Sequence, residues 1–114
     1  MLPEEDPVRV RHMLDAAEEA LDFAHGRSRA DLDTDRMFAR AVVQDIEILG
    51  EAAGKVGQET QDRYPDIPWA AIIGMRNRLI HGYFDIDLDR VWDTLVDDLP
   101  PLVSELRRIL SSEE

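Results

Sequence analysis

The chain has 114 residues, which is enough for one domain with its own hydrophobic core. Apolar residues make up 44% and charged residues 33%, a composition typical of a folded globular protein rather than a disordered one. The absence of cysteine excludes disulfides and thiolate metal sites, and the formal net charge of −12 argues against general binding to polyanions. We therefore expect a single domain over residues 1–114.

The start of the chain, residues 1–7, is acidic and contains two prolines, so it does not have the pattern of a signal peptide. No apolar run approaches the roughly 18 residues that a membrane-spanning helix needs. We therefore expect a cytoplasmic protein that has no membrane partner.

Apolar residues recur at helical spacing, and no stretch alternates apolar and polar residues for long enough to predict a strand. The sequence predicts a first helix over about residues 7–24 and a second from about residue 34 to residue 56. The polar residues 27–34 between them are predicted to form a loop. Gly50 and Gly54, four residues apart in the second helix, would permit another helix to approach closely.

A proline-containing segment, residues 58–67, separates the second helix from a third, which is predicted over about residues 68–81. The last segment, residues 87–110, keeps one helical phase through Pro100 and Pro101. We expect either one kinked helix or two helices that meet at these prolines. Four or five helices with short connections form an up-and-down bundle, so the expected fold class is all-α.

Arg76 is the residue that the helical pattern singles out. It falls inside the apolar stripe of the third helix, where a guanidinium is unfavourable unless its charge is paired. Asp45, at the edge of the apolar stripe of the second helix, is a possible structural partner. Two interpretations stay open: a buried Arg76–Asp45 ion pair that joins two helices, or an Arg76 that lines a pocket or subunit interface and binds phosphate.

His81 follows Arg76 by five residues, which places it about 140° around a helix, so the two side chains cannot share one face. Either the helix ends and the histidine turns back, or a second subunit brings the two groups together. Histidine can transfer protons near neutral pH, but a histidine at a helix end also stabilises the helix dipole. Tyr83 could direct its hydroxyl toward the same site, or could simply pack a loop.

The sequence does not predict a metal or cofactor site. The three histidines are scattered and have no ligand spacing. Asp85, Asp87 and Asp89 alternate without the glycine and terminal glutamate of a calcium loop, and are more typical of residues that cap the next helix. No glycine-rich phosphate loop is present, so the chain itself should not bind ATP tightly.

The pattern Arg76-x4-His81-x-Tyr83, preceded by Gly74-Met75 and followed by Phe84, resembles the signature of the HEPN superfamily. It resembles more closely the HepT-like toxins that are paired with a minimal nucleotidyltransferase antitoxin. The resemblance covers roughly residues 11–110. Three further segments match the pattern of that family: Ile48–Ala53, Tyr64–Trp69 and Val91–Trp92.

This resemblance implies a HEPN-like bundle that forms a homodimer, in which the motifs of both subunits line a shared cleft. It also implies a metal-independent endoribonuclease, the toxin of a type VII toxin–antitoxin pair. His81 would act as general acid or base on RNA, Arg76 would stabilise charge on the scissile phosphate, and Asn77 would support the site. Transfer of AMP to Tyr83, or binding of the antitoxin, would silence the toxin.

Two alternatives remain at the level of the sequence. The chain could be a non-catalytic binding or regulatory subunit of a nucleotidyltransferase complex, with Tyr83 as the modified residue. Its acidic charge favours this interpretation, because a chain with a net charge of −12 should repel RNA at long range. It could also be a purely structural dimer in which Arg76 is paired internally.

Overall fold

The computed structural model describes residues 2–3, 5–75, 79 and 85–113. These residues form an all-α domain, as predicted, and none of them belongs to a β-strand element. A π-helical turn, Thr94–Asp98, joins the last two helices. The α-helices are α1 (Asp6–Ala24), α2 (Arg29–Thr34), α3 (Arg36–Lys55), α4 (Gln58–Arg63), α5 (Trp69–Ile73), α6 (Leu88–Asp93) and α7 (Leu99–Ser112).

The long helices α1 and α3 form an antiparallel pair at the centre of the domain. Asp6, at the start of α1, is buried and accepts a 3.2 Å hydrogen bond from the amide of Gly57, just beyond the end of α3. The hydroxyl of Thr60 in α4 donates a 2.5 Å hydrogen bond to the same carboxylate. This carboxylate therefore fixes the beginning of α1 against the end of α3 and the first turn of α4.

The core lies between α1, α3 and α7, and the apolar stripes predicted for these helices largely face it. Ile48 of α3 lies outside this core and is 38% exposed. The buried residues of the three helices include Val10, Met13, Leu14, Ala17 and Ala20 in α1, Phe38, Val42, Ile46, Leu49 and Ala53 in α3, and Leu99, Leu102, Val103, Leu106 and Ile109 in α7.

The C-terminal segment is helical without a break from Leu88 to Ser112, and a π turn joins α6 to α7 just before the prolines, so the segment has features of both of our expectations. Pro100 and Pro101 occupy the first turn of α7, where a missing amide donor is tolerated. Leu95 within the π turn and Leu99 just after it are both buried.

Two short helices were not predicted. α2 lies in residues 27–34, where a loop was expected, and α4 lies in residues 58–67. The amide of Ser28 donates a 2.7 Å hydrogen bond to Asp31 in a capping box that starts α2. α2 and α4 are each six residues long and each buries one side chain, so neither produces a helical pattern of apolar residues.

Gly50 allows α5 to pack directly on α3. A Cβ atom at Gly50 would lie 3.1 Å from the carbonyl oxygen of Ile72, whereas one at Gly54 would meet nothing within 4 Å. The predicted close approach is therefore confirmed at Gly50 only. After a turn at Gly74, Met75 and Leu79 are helical, but the predicted end of this helix lies outside the described residues. No helix in the described ranges is long and apolar enough to cross a membrane.

Candidate functional site

Arg76, Asn77, His81 and Tyr83 lie outside the described residues, so the roles assigned to them stay predictions. The structure describes the residues on either side of them. Met75, immediately before Arg76, is buried, and so is Leu79. These two side chains are four residues apart and line one cavity, which fixes the rotation of the chain where the motif begins.

The chain that follows Leu79 returns to it. The amide of Asp87 donates a 2.8 Å hydrogen bond to the carbonyl oxygen of Leu79. The carboxylate of Asp87 accepts a 3.1 Å hydrogen bond from the amide of Arg90 and so caps α6. Leu79 and Asp87 flank the segment 80–86, which contains His81 and Tyr83. One is a core residue and the other caps a helix, and the two are hydrogen-bonded to each other.

Met75 and Leu79 border a largely apolar cavity of about 430 Å³, which lies between α5 and the C-terminal helices. Ile72, Met75 and Leu79 form one wall, and Thr94 and Leu99 belong to the opposite wall. Thr94 is buried and donates its hydroxyl to the carbonyl oxygen of Arg90 at 2.9 Å, so its polar atom is satisfied within the helix. The lining is largely apolar and also includes the charged residues Asp66, Arg90, Asp97, Asp98 and Glu105.

An open cleft of about 680 Å³ lies between α3 and the residues that follow the motif. Its α3 wall is a stripe of residues spaced three or four apart, which therefore point the same way. Ile86 and Leu88, just beyond the motif, form the opposite wall. The α3 residues that line this cleft are Arg36, Ala39, Arg40, Val43, Gln44 and Glu47.

Asp45 lies on a different side of α3, toward α1. It is 3% exposed and faces a small cavity of about 220 Å³ that His12 and Asp15 also line. Its Oδ2 atom is buried without a hydrogen-bond partner in the part of the chain that the structure describes. Burial, and then the neighbouring carboxyl of Glu19, raise the pKa of Asp45 to about 7.

These surroundings bear on the sequence hypothesis for Asp45 without deciding it. Because Arg76 lies outside the described residues, the Arg76–Asp45 pair stays a prediction. The described neighbour of the Asp45 carboxyl is a second acid, Glu19, which favours the protonated form of Asp45. On the cleft side of α3 the acidic residue is Glu47.

Sequence reasoning also missed Arg36 and Arg40 as components of the site. Both are exposed residues of α3 and line the cleft beside Ile86. Their spacing of four, continued by Gln44, is visible in the sequence. What the sequence could not show is that the segment after the motif returns to this face of α3.

Among the residues in the described ranges, no group of three or more His, Asp or Glu side chains is arranged to hold a metal ion. His12 and His25 are exposed. His81 lies outside these ranges.

Comparison with known proteins agrees with the resemblance seen in the motif. Residues 13–109 match the family model described as "Ribonuclease HepT-like". This match includes the whole motif and nearly all of the bundle. The chain belongs to the HepT-like ribonuclease family, a group of HEPN-type proteins.

Several proteins are similar to this chain over most of their length. "Putative RNase TTE0752" of Caldanaerobacter subterraneus subsp. tengcongensis is 32% identical over 105 residues, which cover 92% of this chain and 94% of that protein. "Putative RNase MJ1380" of Methanocaldococcus jannaschii is 30% identical over 94 residues, covering 82% and 86%. "Probable ribonuclease HepT" of Thermococcus cleftensis is 33% identical over 75 residues, covering 66% and 68%. No solved structure matches the chain.

Proposed function

We propose that this protein is a metal-independent endoribonuclease of the toxin type, with Arg76, His81 and Asn77 as its catalytic residues. The observation that carries the proposal is the Arg76-x4-His81-x-Tyr83 motif within a family match over residues 13–109. The hydrogen bond between Asp87 and Leu79 supports it, because catalytic side chains must be held in a defined position.

The proposed chemistry uses groups of the chain and of RNA alone. His81 removes the proton from a ribose 2′-hydroxyl, and the oxygen attacks the adjacent phosphorus. The bond from phosphorus to the 5′-oxygen breaks, and that oxygen takes up the proton that His81 removed, so that the histidine returns to its neutral form. The guanidinium of Arg76 stabilises the negative charge that develops on the phosphate, and Asn77 donates a supporting hydrogen bond. The products carry a 2′,3′-cyclic phosphate and a 5′-hydroxyl.

A homodimer would complete this site. Arg76 and His81 are five residues apart, which places them on different faces of a regular helix. In a two-fold dimer, the arginine of one subunit can face the histidine of the other. Mixing Arg76→Ala and His81→Ala proteins should then restore part of the activity, because each mixed dimer has one complete site.

A minimal nucleotidyltransferase is the proposed partner, acting as antitoxin in a type VII pair in the cytoplasm. Transfer of AMP to the hydroxyl of Tyr83 would place bulk and negative charge beside the site. An RNA phosphate would then be repelled from Arg76. Antitoxin binding that covers the motif would have the same effect without modification.

The proposal is tested with the purified chain, a defined single-stranded RNA and an excess of EDTA. We expect cleavage to persist in EDTA and to yield 2′,3′-cyclic phosphate ends. Expression of the chain alone should arrest growth, and co-expression of the nucleotidyltransferase should relieve the arrest. If the wild-type dimer leaves every RNA intact and its expression is harmless, the proposal is wrong.

The alternative is a non-catalytic regulatory subunit of the nucleotidyltransferase complex. The net charge of −12 favours it, since a chain of this charge repels RNA at long range. The salt dependence of RNA binding separates the two functions. A steep loss of affinity with added salt indicates a local phosphate site, whereas no measurable binding at low salt favours the alternative.

A further inference from the structure

Most basic side chains in the described ranges are already neutralised by carboxylates. Arg27 bonds Asp35 at 2.6 Å, and Arg107 bonds Glu18 at 2.6 Å. The basic side chains with an ion pair are Arg9, Arg27, Arg29, Lys55, Arg63, Arg107 and Arg108. In the same part of the chain, those with no ion pair or side-chain hydrogen bond are Arg11, Arg36, Arg40 and Arg90.

Two of these unpaired cations, Arg36 and Arg40, are neighbours. They lie one helical turn apart on α3 and line the same cleft of about 680 Å³. Residues four apart on a helix have Cβ atoms about 5–6 Å apart, so the two guanidinium groups form one basic patch. In a chain with a net charge of −12, an unpaired basic patch is unusual.

The acidic residue of α2 that lines the cleft does not neutralise the charge of Arg36 and Arg40. Asp33 lines the cleft, but its carboxylate is 3.2 Å from the guanidinium of Arg29. Arg29 also bonds Asp89 at 2.8 Å, so it holds two carboxylates at once. Glu47 lies in the same stripe of α3, seven residues or about two helical turns beyond Arg40.

The position of the patch relates it to the motif. Ile86 and Leu88 form the wall opposite Arg36 and Arg40. Ile86 precedes Asp87, the residue bonded to Leu79, so this wall is the exit of the motif segment. RNA that is bound by the motif and extends past Ile86 would meet Arg36 and Arg40.

We propose that Arg36 and Arg40 bind phosphates of the RNA strand next to the scissile bond. This inference rests on the proposed ribonuclease function and identifies how an acidic protein would hold its substrate. The planar guanidinium offers two parallel donors to a phosphate, and Gln44, the next residue of the stripe, adds an amide. The two arginines are binding residues, and the cleavage chemistry is assigned to the motif.

The test compares Arg36→Gln, Arg40→Gln and the double variant with Arg11→Gln. Arg11 is a matched control, because it is also exposed and unpaired within the described ranges. It lies near the beginning of α1, and Asp6 fixes that end of α1 against the end of α3, opposite from Arg36. Thermal unfolding of all variants should match the wild type, since none of these side chains is buried.

We expect each single variant to raise KM for single-stranded RNA about fivefold, with little change in kcat. In binding measurements the double variant should flatten the slope of log Kd against log salt by about 1.4, or about 0.7 for each lost phosphate contact. Arg11→Gln should change neither value.

Each remaining outcome overturns the inference in a distinguishable way. If the wild type cleaves RNA and the double variant keeps its KM and its salt slope, the arginines are not binding residues and the ribonuclease function stands. If Arg11→Gln weakens binding as much as the α3 variants, the effect is one of net charge. If the wild type neither binds nor cleaves RNA, the proposed function fails, and this inference fails with it.

Discussion

The main-chain amide of Asp87 donates a 2.8 Å hydrogen bond to the carbonyl oxygen of Leu79. Leu79 is fixed in the core, and the side chain of Asp87 starts α6. One hydrogen bond thus holds together the two ends of the segment that contains His81 and Tyr83.

Two substitutions at Asp87 separate this bond from the helix cap. Asp87→Ala removes only the carboxylate that accepts from Arg90, and should reduce the free energy of unfolding by about 1 kcal/mol. Asp87→Pro removes the carboxylate and also the amide donor, while the φ of −78° at this position is compatible with proline. Urea denaturation should show a further loss of about 1 kcal/mol for the proline variant.

RNA cleavage should decrease more in Asp87→Pro than in Asp87→Ala, because only the proline variant releases the end of the motif segment. Asp85→Ala is the control, since Asp85 is exposed and makes no hydrogen bond or ion pair within the described ranges. Equal unfolding midpoints and equal cleavage rates for the two Asp87 variants would show that the hydrogen bond does not hold the site.

The contact between Gly50 and Ile72 gives a second prediction. A Cβ at Gly50 would lie 3.1 Å from a main-chain oxygen, which cannot move without displacing α5. Gly50→Ala should therefore destabilise the domain by about 1 kcal/mol or more, despite the better helix propensity of alanine. Gly54→Ala meets nothing within 4 Å and should stabilise it by up to about 1 kcal/mol.

Thermal unfolding of the two glycine variants measures this difference, and the RNA-cleavage rate shows whether it reaches the motif. Because α5 leads directly into Gly74 and Met75, Gly50→Ala should also slow cleavage, whereas Gly54→Ala should not. A Gly50→Ala protein that is as stable and active as Gly54→Ala would contradict the packing described for α3 and α5.

The raised pKa of Asp45 gives a prediction for stability against pH. Burial and the carboxyl of Glu19 raise this pKa to about 7 from a usual value near 3.8. The folded state therefore binds a proton more tightly than the unfolded state does. The stability associated with that proton is present below pH 4 and is lost progressively as the pH rises from about 4 to about 7.

Asp45→Asn removes this titration. One pKa unit corresponds to about 1.4 kcal/mol, and discounting for the opening of the small cavity to solvent, we expect the variant to be more stable than the wild type by about 1–2 kcal/mol at pH 8. The two proteins should differ little near pH 4. Asp15→Asn is the control, because Asp15 lines the same cavity but is exposed.

Urea midpoints at intervals from pH 4 to pH 8 measure the effect as the difference between variant and wild type. This difference cancels the carboxylates that act in the opposite sense, such as Asp35, whose pKa is lowered by hydrogen bonds from Arg27 and the Phe38 amide. A difference that does not change with pH would show that Asp45 does not titrate in this range. Loss of stability at pH 8 would show that its charge is needed.

The sequence predicted those parts of the fold that depend on local periodicity. The apolar stripes through Val10 and Val42 identify the core faces of α1 and α3, and the prolines at 100 and 101 locate the start of α7. α2 and α4 were missed because each buries a single side chain. Their hydrogen bonds, rather than an apolar pattern, define them.

The candidate site was predicted only in part, for a reason of tertiary structure. A helical wheel places Asp45 at the edge of an apolar stripe, but it cannot tell which helix lies beyond that edge. In the fold, Glu19 of α1 lies there, and the cleft beside Ile86 faces Arg40 and Glu47 instead. The assignments of Arg76, Asn77, His81 and Tyr83 come from the motif and stay predictions.

The rate of RNA cleavage in EDTA by the wild type, Arg76→Ala and His81→Ala tests the central claim most directly. We expect the wild type to cleave, and each variant to be slower by about 100-fold or more while it keeps the helix content and oligomeric state of the wild type. Cleavage at the wild-type rate by either folded variant would contradict the claim that these two side chains perform the reaction.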